Sequence, residues 1–187
     1  NVPHKRYLLM LKMFLIRSPM KRARYLKEHN VFRKCGDRVM ITSRKIPLYS
    51  ELISIGNNVW VASGVEFVTH DVTHYMLNGL ENQEKYQEKI GCIEIGDNVF
   101  IGTGVKILYD VKIGNNVIIA AGAVVTKDIP DNSVVGGIPA KVIEDFDSYK
   151  KSRRKFHVDY PADNMKQTIS KSCADEMWLK FKKSHSS

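Results

Sequence analysis

The sequence predicts a mainly β solenoid, in which short strands alternate with tight corners, and two observations carry this prediction. First, aliphatic residues recur at every sixth position through the middle of the chain: Ile95, Ile101, Ile107, Ile113, Ile119 and Val125. Second, polar pairs fall between them: Asn57-Asn58, Asp97-Asn98 and Asn115-Asn116. A period of six fits neither a helix nor a plain strand alternation. We therefore expect the aliphatic side chains to stack inward and the polar pairs to form the corners, since Asn and Asp tolerate left-handed backbone.

The regular repeat covers residues 53–69 and 93–130. An antiparallel sandwich with coincidental spacing is the alternative, and six consecutive matched units disfavour it. Upstream, Val39, Ile41 and Ile46 indicate one or two less regular coils. Residues 71–92 interrupt the period with a polar, charged stretch, and long excursions from a solenoid often serve function.

The flanking segments complete three predicted domains, which are a basic helical arm at 1–34, the solenoid at 35–143 and a charged tail at 144–187. Helical composition spans residues 5–16 and 19–30, and a weaker helix is predicted near 174–183. Pro19 suits the first turn of the second helix.

Charge and cysteine content exclude several classes of function. The net charge is +9, but residues 1–34 carry ten basic and one acidic residue, whereas residues 35–143 carry nine basic and twelve acidic ones. Binding of nucleic acid through the solenoid is therefore not expected. The apolar stretch 7–16 is too short to span a membrane and lacks the cleavage site of a secretory signal. Three widely spaced cysteines indicate a reducing, cytoplasmic environment.

Two histidines lie at the start of the interruption, His70 and His74. His70 follows a coil directly, so we expect it at a rigid strand end beside a loop. A neutral imidazole there can accept a proton from an alcohol near neutral pH. An exposed loop histidine without a chemical role is the alternative.

Three segments resemble the hexapeptide-repeat acyltransferases, in particular the galactoside and maltose O-acetyltransferase branch with its polysaccharide-modifying members. They read ISIGNNVWVASGVEFVTHD, IEIGDNVFIGTGVKIL and VKIGNNVIIAAGAVVTKDIPDNSVVGGIPAKVI. The resemblance implies a left-handed parallel β-helix with three hexapeptides per coil. It also implies a homotrimer with each cleft between neighbouring subunits, and acetyl-coenzyme A (acetyl-CoA) as the acetyl donor.

The resemblance assigns roles on the acceptor side of the site. His70 falls on the base that deprotonates the acceptor hydroxyl for direct attack on the thioester. Asp71 is assigned a contact with substrate, and His74 matches a less consistently required loop residue that either contacts substrate or has no role. Asp71 stands where the galactoside branch has proline, and we expect a backbone carbonyl of an adjacent coil, rather than Asp71, to orient the His70 ring. Residues 38–48 lack the sugar-contacting Asn of the galactoside enzymes, which argues against a simple galactoside acceptor.

On the coenzyme side, the resemblance implies binding by backbone amides at small residues and by a lysine near the phosphates. Ala121 follows Thr103 by one coil of three hexapeptides, and Pro139 follows Ala121 by the same interval, so we expect one column along the coil axis. Thr126 and Lys127 match the far end of the pantetheine arm. Lys141 matches a basic residue beside the coenzyme phosphates. Trp60 and Phe100 line the cleft, are buried, or pack at a subunit interface.

Several alternatives remain open at this stage. A gamma-class carbonic anhydrase shares the fold but needs three zinc-binding histidines, and the repeats with their insertion contain two, so no metal is expected. A nonenzymatic structural β-helix would need neither the histidine loop nor the Thr126-Lys127 pair. The acceptor is a hydroxyl of a sugar or polysaccharide precursor, or that of an antibiotic.

The N-terminal arm has two interpretations. Its apolar stretch and basic cluster suit a peripheral membrane contact at the cytoplasmic face. A helix packed across the end of the solenoid, where it would close an exposed edge, is the favoured interpretation.

Overall fold

The computed structural model describes residues 2–80, 85–158 and 167–186. The chain divides into two compact units, residues 1–149 and 150–187. The first unit begins with helices α1 (Val2–Leu15) and α2 (Pro19–Glu28). Ser18 caps α2, because its hydroxyl accepts a hydrogen bond from the Lys21 amide at 3.4 Å, and Pro19 occupies the first turn as predicted.

Three mostly parallel sheets form the sides of the solenoid, and complete coils contribute one strand to each. The first sheet contains β1 (Lys34–Cys35), β3 (Ile53–Ile55), β8 (Ile93–Ile95) and β11 (Val111–Ile113). The second contains β2 (Met40–Ile41), β4 (Val59–Val61), β9 (Val99–Ile101), β12 (Val117–Ile119), β14 (Ser133–Gly136) and the antiparallel β15 (Lys141–Asp145). The third contains β5 (Glu66–Val68), β10 (Lys106–Leu108) and β13 (Val124–Val125).

The remaining elements lie in connections and at the C-terminal end. A 3₁₀ turn (Ser50–Leu52) precedes β3. The insertion holds the antiparallel pair β6 (His70–Asp71) and β7 (Lys89–Ile90), with helix α3 (Thr73–Asn78). Helix α4 (Phe146–Arg154) follows β15, and α5 (Lys171–His185) lies in the second unit.

The strand register measures the length of each coil. Val111 pairs with Ile93, and the neighbouring corners bond across the same step of 18 residues, as the repeat predicts. Ile93 pairs with Ile53, and the neighbouring corners also bond across a step of 40 residues. This step is longer than one coil because it includes the predicted insertion at residues 71–92. In the last coil, Val117 pairs with Ser133 of β14, and the neighbouring corners bond across a step of only 16 residues. The last coil is therefore two residues shorter than predicted.

The core is a stack of aliphatic side chains along the solenoid axis. Residues at the sixfold positions are almost completely buried: Ile55, Val61, Ile95, Ile101, Ile107, Ile113, Ile119 and Val125. The second residue of each predicted polar pair has a positive φ, between 54° and 58° for Asn58, Asn98 and Asn116. Asn58 donates to the side chain of Asn98, and Asn98 to that of Asn116, at 2.9 and 3.0 Å. The predicted corners are confirmed.

Both N-terminal helices pack on the first coil, as one interpretation of the arm predicts. Met13 of α1 and Leu26 of α2 belong to the core cluster. The buried Arg22 guanidinium donates to the carbonyl oxygens of Ile41 and Thr42 at 3.1 and 2.8 Å. These bonds satisfy carbonyls at the start of the solenoid. None of the helices in the described ranges is long and apolar enough to cross a membrane.

Candidate active site

His70 lies at the point where the solenoid leaves the third sheet and enters the insertion. Its strand β6 pairs with β7, so both ends of the insertion meet here. The preceding Thr69 is fully buried; its hydroxyl donates to the Leu48 carbonyl at 2.7 Å, and its own carbonyl accepts from the Gly91 amide at 2.9 Å. The backbone that carries His70 is therefore tied to two other segments.

The His70 ring is half-buried and held by packing. The ring of Tyr49 meets it at a centroid distance of 5.2 Å and an angle of 83°. The Nδ1 atom of His70 is buried and has no hydrogen-bond partner within the described residues. The backbone carbonyl expected to orient the ring is therefore not found in this part of the chain, and Tyr49 restrains the ring instead.

Asp71 holds the insertion in place. One carboxylate oxygen accepts from the Thr73 amide and hydroxyl at 3.1 and 2.6 Å, and the other from the Tyr109 hydroxyl at 2.7 Å. These bonds, led by that of the Thr73 hydroxyl, lower the pKa of Asp71, and the bond to Asp71 raises the pKa of Tyr109. Asp71 does not orient His70, as expected. Its predicted contact with substrate remains a prediction.

His74 lies on α3, half-buried, with its ring 4.1 Å from the ring of Tyr75. Its Nδ1 is also buried without a hydrogen-bond partner in the described ranges. The predicted substrate contact of His74 remains a prediction.

Further contacts fasten the insertion to the coils, and no sequence pattern predicts them. The Tyr49 hydroxyl donates to Glu88 at 2.9 Å, which raises the pKa of Tyr49. Lys89 pairs with Asp110 at 2.8 Å. These partners are 39 and 21 residues apart in the chain, so no local pattern marks them.

Thr103 and Ala121 occupy an open corner of the solenoid. The Gly122 amide donates to the Thr103 carbonyl at 2.8 Å, so the two corners stack one coil apart as predicted. Both side chains are exposed or nearly so, and neither Thr103 nor Ala121 uses its amide in a hydrogen bond within the described chain. The next residues, Gly104 and Gly122, have φ of 72° and 73° and open space where a Cβ would lie. A ligand can therefore approach this backbone closely.

Pro139 does not continue that column, so the predicted second step of one full coil is wrong. The last coil is shortened, with corners that bond across only 16 residues, and the chain then reverses into the antiparallel β15. The residues on either side of Ile138-Pro139 bond to Val124 instead, through the Gly137 carbonyl at 3.1 Å and the Ala140 amide at 2.8 Å. Pro139 therefore lies beside β13, and its role in coenzyme binding remains a prediction.

Thr126, Lys127 and Lys141 are exposed, and neither lysine forms an ion pair with any described residue. Thr126 and Lys127 follow β13 in the third sheet, just as His70 follows β5 in the same sheet. Parallel strands place them along one edge of the solenoid, and the corner of Thr103 and Ala121 lies along the other edge of that sheet. The third sheet thus lies between the edge with His70, Thr126 and Lys127 and the corner of Thr103 and Ala121.

Outward-facing residues distinguish the first two sheets. In register across the second sheet stand apolar side chains: Met40, Trp60, Phe100 and Ile118. Trp60 and Phe100 are 37% and 45% exposed. The equivalent row on the first sheet is mainly charged: Lys34, Ser54, Glu94 and Lys112. No cluster of three metal-ligating side chains occurs among the described residues.

Comparisons with known proteins find similarity in sequence and in fold. Residues 92–127 match the family "Bacterial transferase hexapeptide (six repeats)". Protein CapG of Staphylococcus aureus is 50% identical over 101 residues, which are 53% of this chain and 56% of CapG. Galactoside O-acetyltransferase of Escherichia coli (strain K12) is 38% identical over 113 residues, which are 60% of this chain and 52% of that protein. The chain thus spans about half of the length of these two relatives.

Among solved structures, a galactoside acetyltransferase in complex with coenzyme A superimposes with a TM-score of 0.61 and 28% sequence identity. The match covers 86% of this chain and 87% of that one. The shared fold therefore extends well beyond the residues that the family match covers.

Proposed function

Because the chain belongs to the hexapeptide-repeat transferase family, we propose that it is an O-acetyltransferase acting on a hydroxyl group of a sugar or polysaccharide precursor. Acetyl-CoA is the proposed donor. The observation that carries the proposal is the half-buried His70 imidazole, held at the edge of the sheet that also bears Thr126 and Lys127. Two of the similar proteins are named as galactoside acetyltransferases, which supports a sugar hydroxyl as the acceptor.

In the proposed reaction, the neutral His70 imidazole takes the proton of the acceptor hydroxyl. The oxygen attacks the thioester carbonyl, and the carbon–sulfur bond breaks when the tetrahedral intermediate collapses. The imidazolium then returns the proton to the departing thiolate, so the products are the acetyl ester and free coenzyme A. A positioned base of this kind contributes roughly 10² to 10⁴ in rate.

The corner of Thr103 and Ala121 is the proposed site of the pantetheine arm. Its two amides are free within the described chain, and the neighbouring glycines leave room for a ligand against the backbone. Lys127 and Lys141 are proposed to pair with the coenzyme phosphates as point charges. Thr126 and Pro139 are also proposed to contact the coenzyme, on the basis of the family resemblance.

A homotrimer is proposed as the working assembly. The apolar row on the second sheet supports it, since exposed Trp60 and Phe100 in register form a patch of the kind that marks an interface. The charged row on the first sheet is expected to remain exposed to solvent in the trimer. We assign the reaction to the cytoplasm, where the free thiols of all three cysteines persist.

The test is an acetyl-CoA-dependent thiol-release assay on a panel of sugar and oligosaccharide acceptors, with chloramphenicol as an antibiotic comparison. His70→Ala should lower turnover at least about 100-fold while leaving the KM for acetyl-CoA nearly unchanged. His157→Ala, at an exposed histidine of the second unit, is the matched control and should retain full activity.

Unchanged turnover of His70→Ala would show that another group is the base. If chloramphenicol were the one compound acetylated, the acceptor would be an antibiotic hydroxyl and not that of a sugar. If the protein binds no coenzyme A in calorimetry, the chain is a structural β-helix and the proposal fails.

A further inference from the structure

Helix α1 has two apolar faces, and the solenoid covers only one of them. Met13 is completely buried, and Leu9 and Met10 pack against the core cluster from the same side. The Arg6 guanidinium reinforces this side, since it donates to the Ile46 carbonyl at 2.7 Å. One face of α1 is therefore fully used by the fold.

The opposite face is apolar and exposed. Five residues at helical spacing form this outer stripe: Tyr7, Leu8, Leu11, Phe14 and Leu15, with exposures between 59% and 79%. At about 100° per residue they span a sector of about 120°, the width of an apolar face that is normally covered. A helix that is apolar on both sides normally has a second apolar surface against it.

The charged residues nearest to the outer stripe along the chain are basic, and one exposed acid, Glu51, lines the same cavity as Tyr7. Lys12, Arg17, Lys21 and Arg24 are exposed and have no acidic partner among the described residues. Glu28 is the single acidic residue in residues 1–34. Arg22 and Lys27 are not part of this set, because Arg22 bonds backbone carbonyls and Lys27 pairs with Asp37 at 2.6 Å.

We propose that the outer stripe binds the headgroup region of an anionic lipid bilayer, with Lys12 on α1 and Arg17 just after it beside the lipid phosphates. A helix of 14 residues is about 21 Å long, shorter than the roughly 30 Å hydrocarbon core, so it lies in the membrane plane. A second copy of the chain is the rival occupant. An isologous contact through the stripe would bring two sets of the same cations together, which anionic lipid would instead neutralise. This proposal does not depend on the acetyl transfer.

The test is co-sedimentation of the full chain with phosphatidylcholine vesicles, with and without about one third phosphatidylglycerol. The protein should bind the anionic vesicles, and salt at about 1 M should weaken that binding. Leu11→Glu places a charge in the stripe and should reduce binding about tenfold or more, since burial of one leucine contributes at least about 1.5 kcal/mol. Lys12→Glu with Arg17→Glu should weaken binding to the anionic vesicles alone.

Ile143→Glu is the matched control, because Ile143 is 65% exposed against 66% for Leu11 but lies on β15. It should bind as the wild type does. Absence of binding by the wild type, or equal binding by Leu11→Glu, would overturn the proposal. A smaller oligomer for Leu11→Glu in light scattering without vesicles would also overturn it, since the stripe would then be a contact between copies.

Discussion

Ile95→Ala tests whether the stacked aliphatic residues carry the stability of the solenoid. Ile95 is 2% exposed on β8 and lies between Ile55 and Ile113 of the neighbouring strands. Truncation removes three carbon groups, and at about 0.8 kcal/mol each the lost burial amounts to about 2.4 kcal/mol. The stacked neighbours are held by strand pairing on both sides, so the remaining cavity should raise the loss to about 3–4 kcal/mol.

The adjacent Glu94 provides the matched control, because its side chain faces outward on the same strand. It pairs with Lys112 at 3.1 Å, and both side chains are more than half exposed, so Glu94→Ala should cost less than about 1 kcal/mol. Guanidinium unfolding followed by circular dichroism, at one fixed protein concentration, measures both variants. Equal losses, or a loss below about 1 kcal/mol for Ile95→Ala, would refute the inward stacking as the source of stability.

Three further predictions concern the candidate site. The hydrogen bond from the Thr73 hydroxyl is the main cause of the lowered pKa of Asp71. The Asp71 carboxylate therefore stabilises the insertion fully at a pH above its pKa in the unfolded chain, and this stabilisation is lost as the pH falls through its lowered pKa in the folded chain. Amide exchange in α3, corrected for intrinsic rates, should therefore quicken in acid, and Asp71→Asn should abolish that pH dependence. Lys127→Ala should raise the KM for acetyl-CoA about two- to fivefold at low salt, and an unchanged KM would remove Lys127 from the coenzyme site. Gly102→Ala places a Cβ 2.6 Å from the Ala121 nitrogen, so calorimetry should detect weaker coenzyme A binding, unless that corner has no part in the site.

Much of the fold could be predicted because each coil repeats a local rule. Aliphatic residues at sixfold spacing and the Asn corners are readable from the sequence, and so is the interruption at 71–92 that the register confirms. The shortened last coil was missed. Its two missing residues lie between Val125 and Ile129, since Ile107 pairs with Val125 at the full step of one coil, whereas Ile113 pairs with Ile129 at the shortened step. The available signal was Asp131, which stands where the sixfold set that ends at Val125 requires an aliphatic residue.

Less of the candidate site could be predicted, because its supporting contacts join distant parts of the chain. The position of His70 follows from the end of a coil, which is a local feature. Tyr49 and Tyr109 bond to insertion residues that are 39 and 38 residues away in the sequence, and a lone tyrosine carries no periodic signal. The antiparallel β15 was missed for a related reason, since it pairs with β14 outside the repeat and its burial pattern does not alternate.

The orientation of the His70 ring connects these missed contacts to the proposed chemistry. Tyr49 adopts a left-handed backbone conformation, with φ of 49° and ψ of 44°, which is unusual for a bulky residue and often marks a functional site. Two hydrogen bonds hold this segment, one from the Thr69 hydroxyl to the preceding carbonyl of Leu48 and one from the Tyr49 hydroxyl to Glu88. The ring that restrains the proposed base is therefore positioned jointly by the last residue of a coil and by the insertion. Loss of the Glu88 carboxylate would thus free the Tyr49 hydroxyl and loosen the packing of Tyr49 against His70.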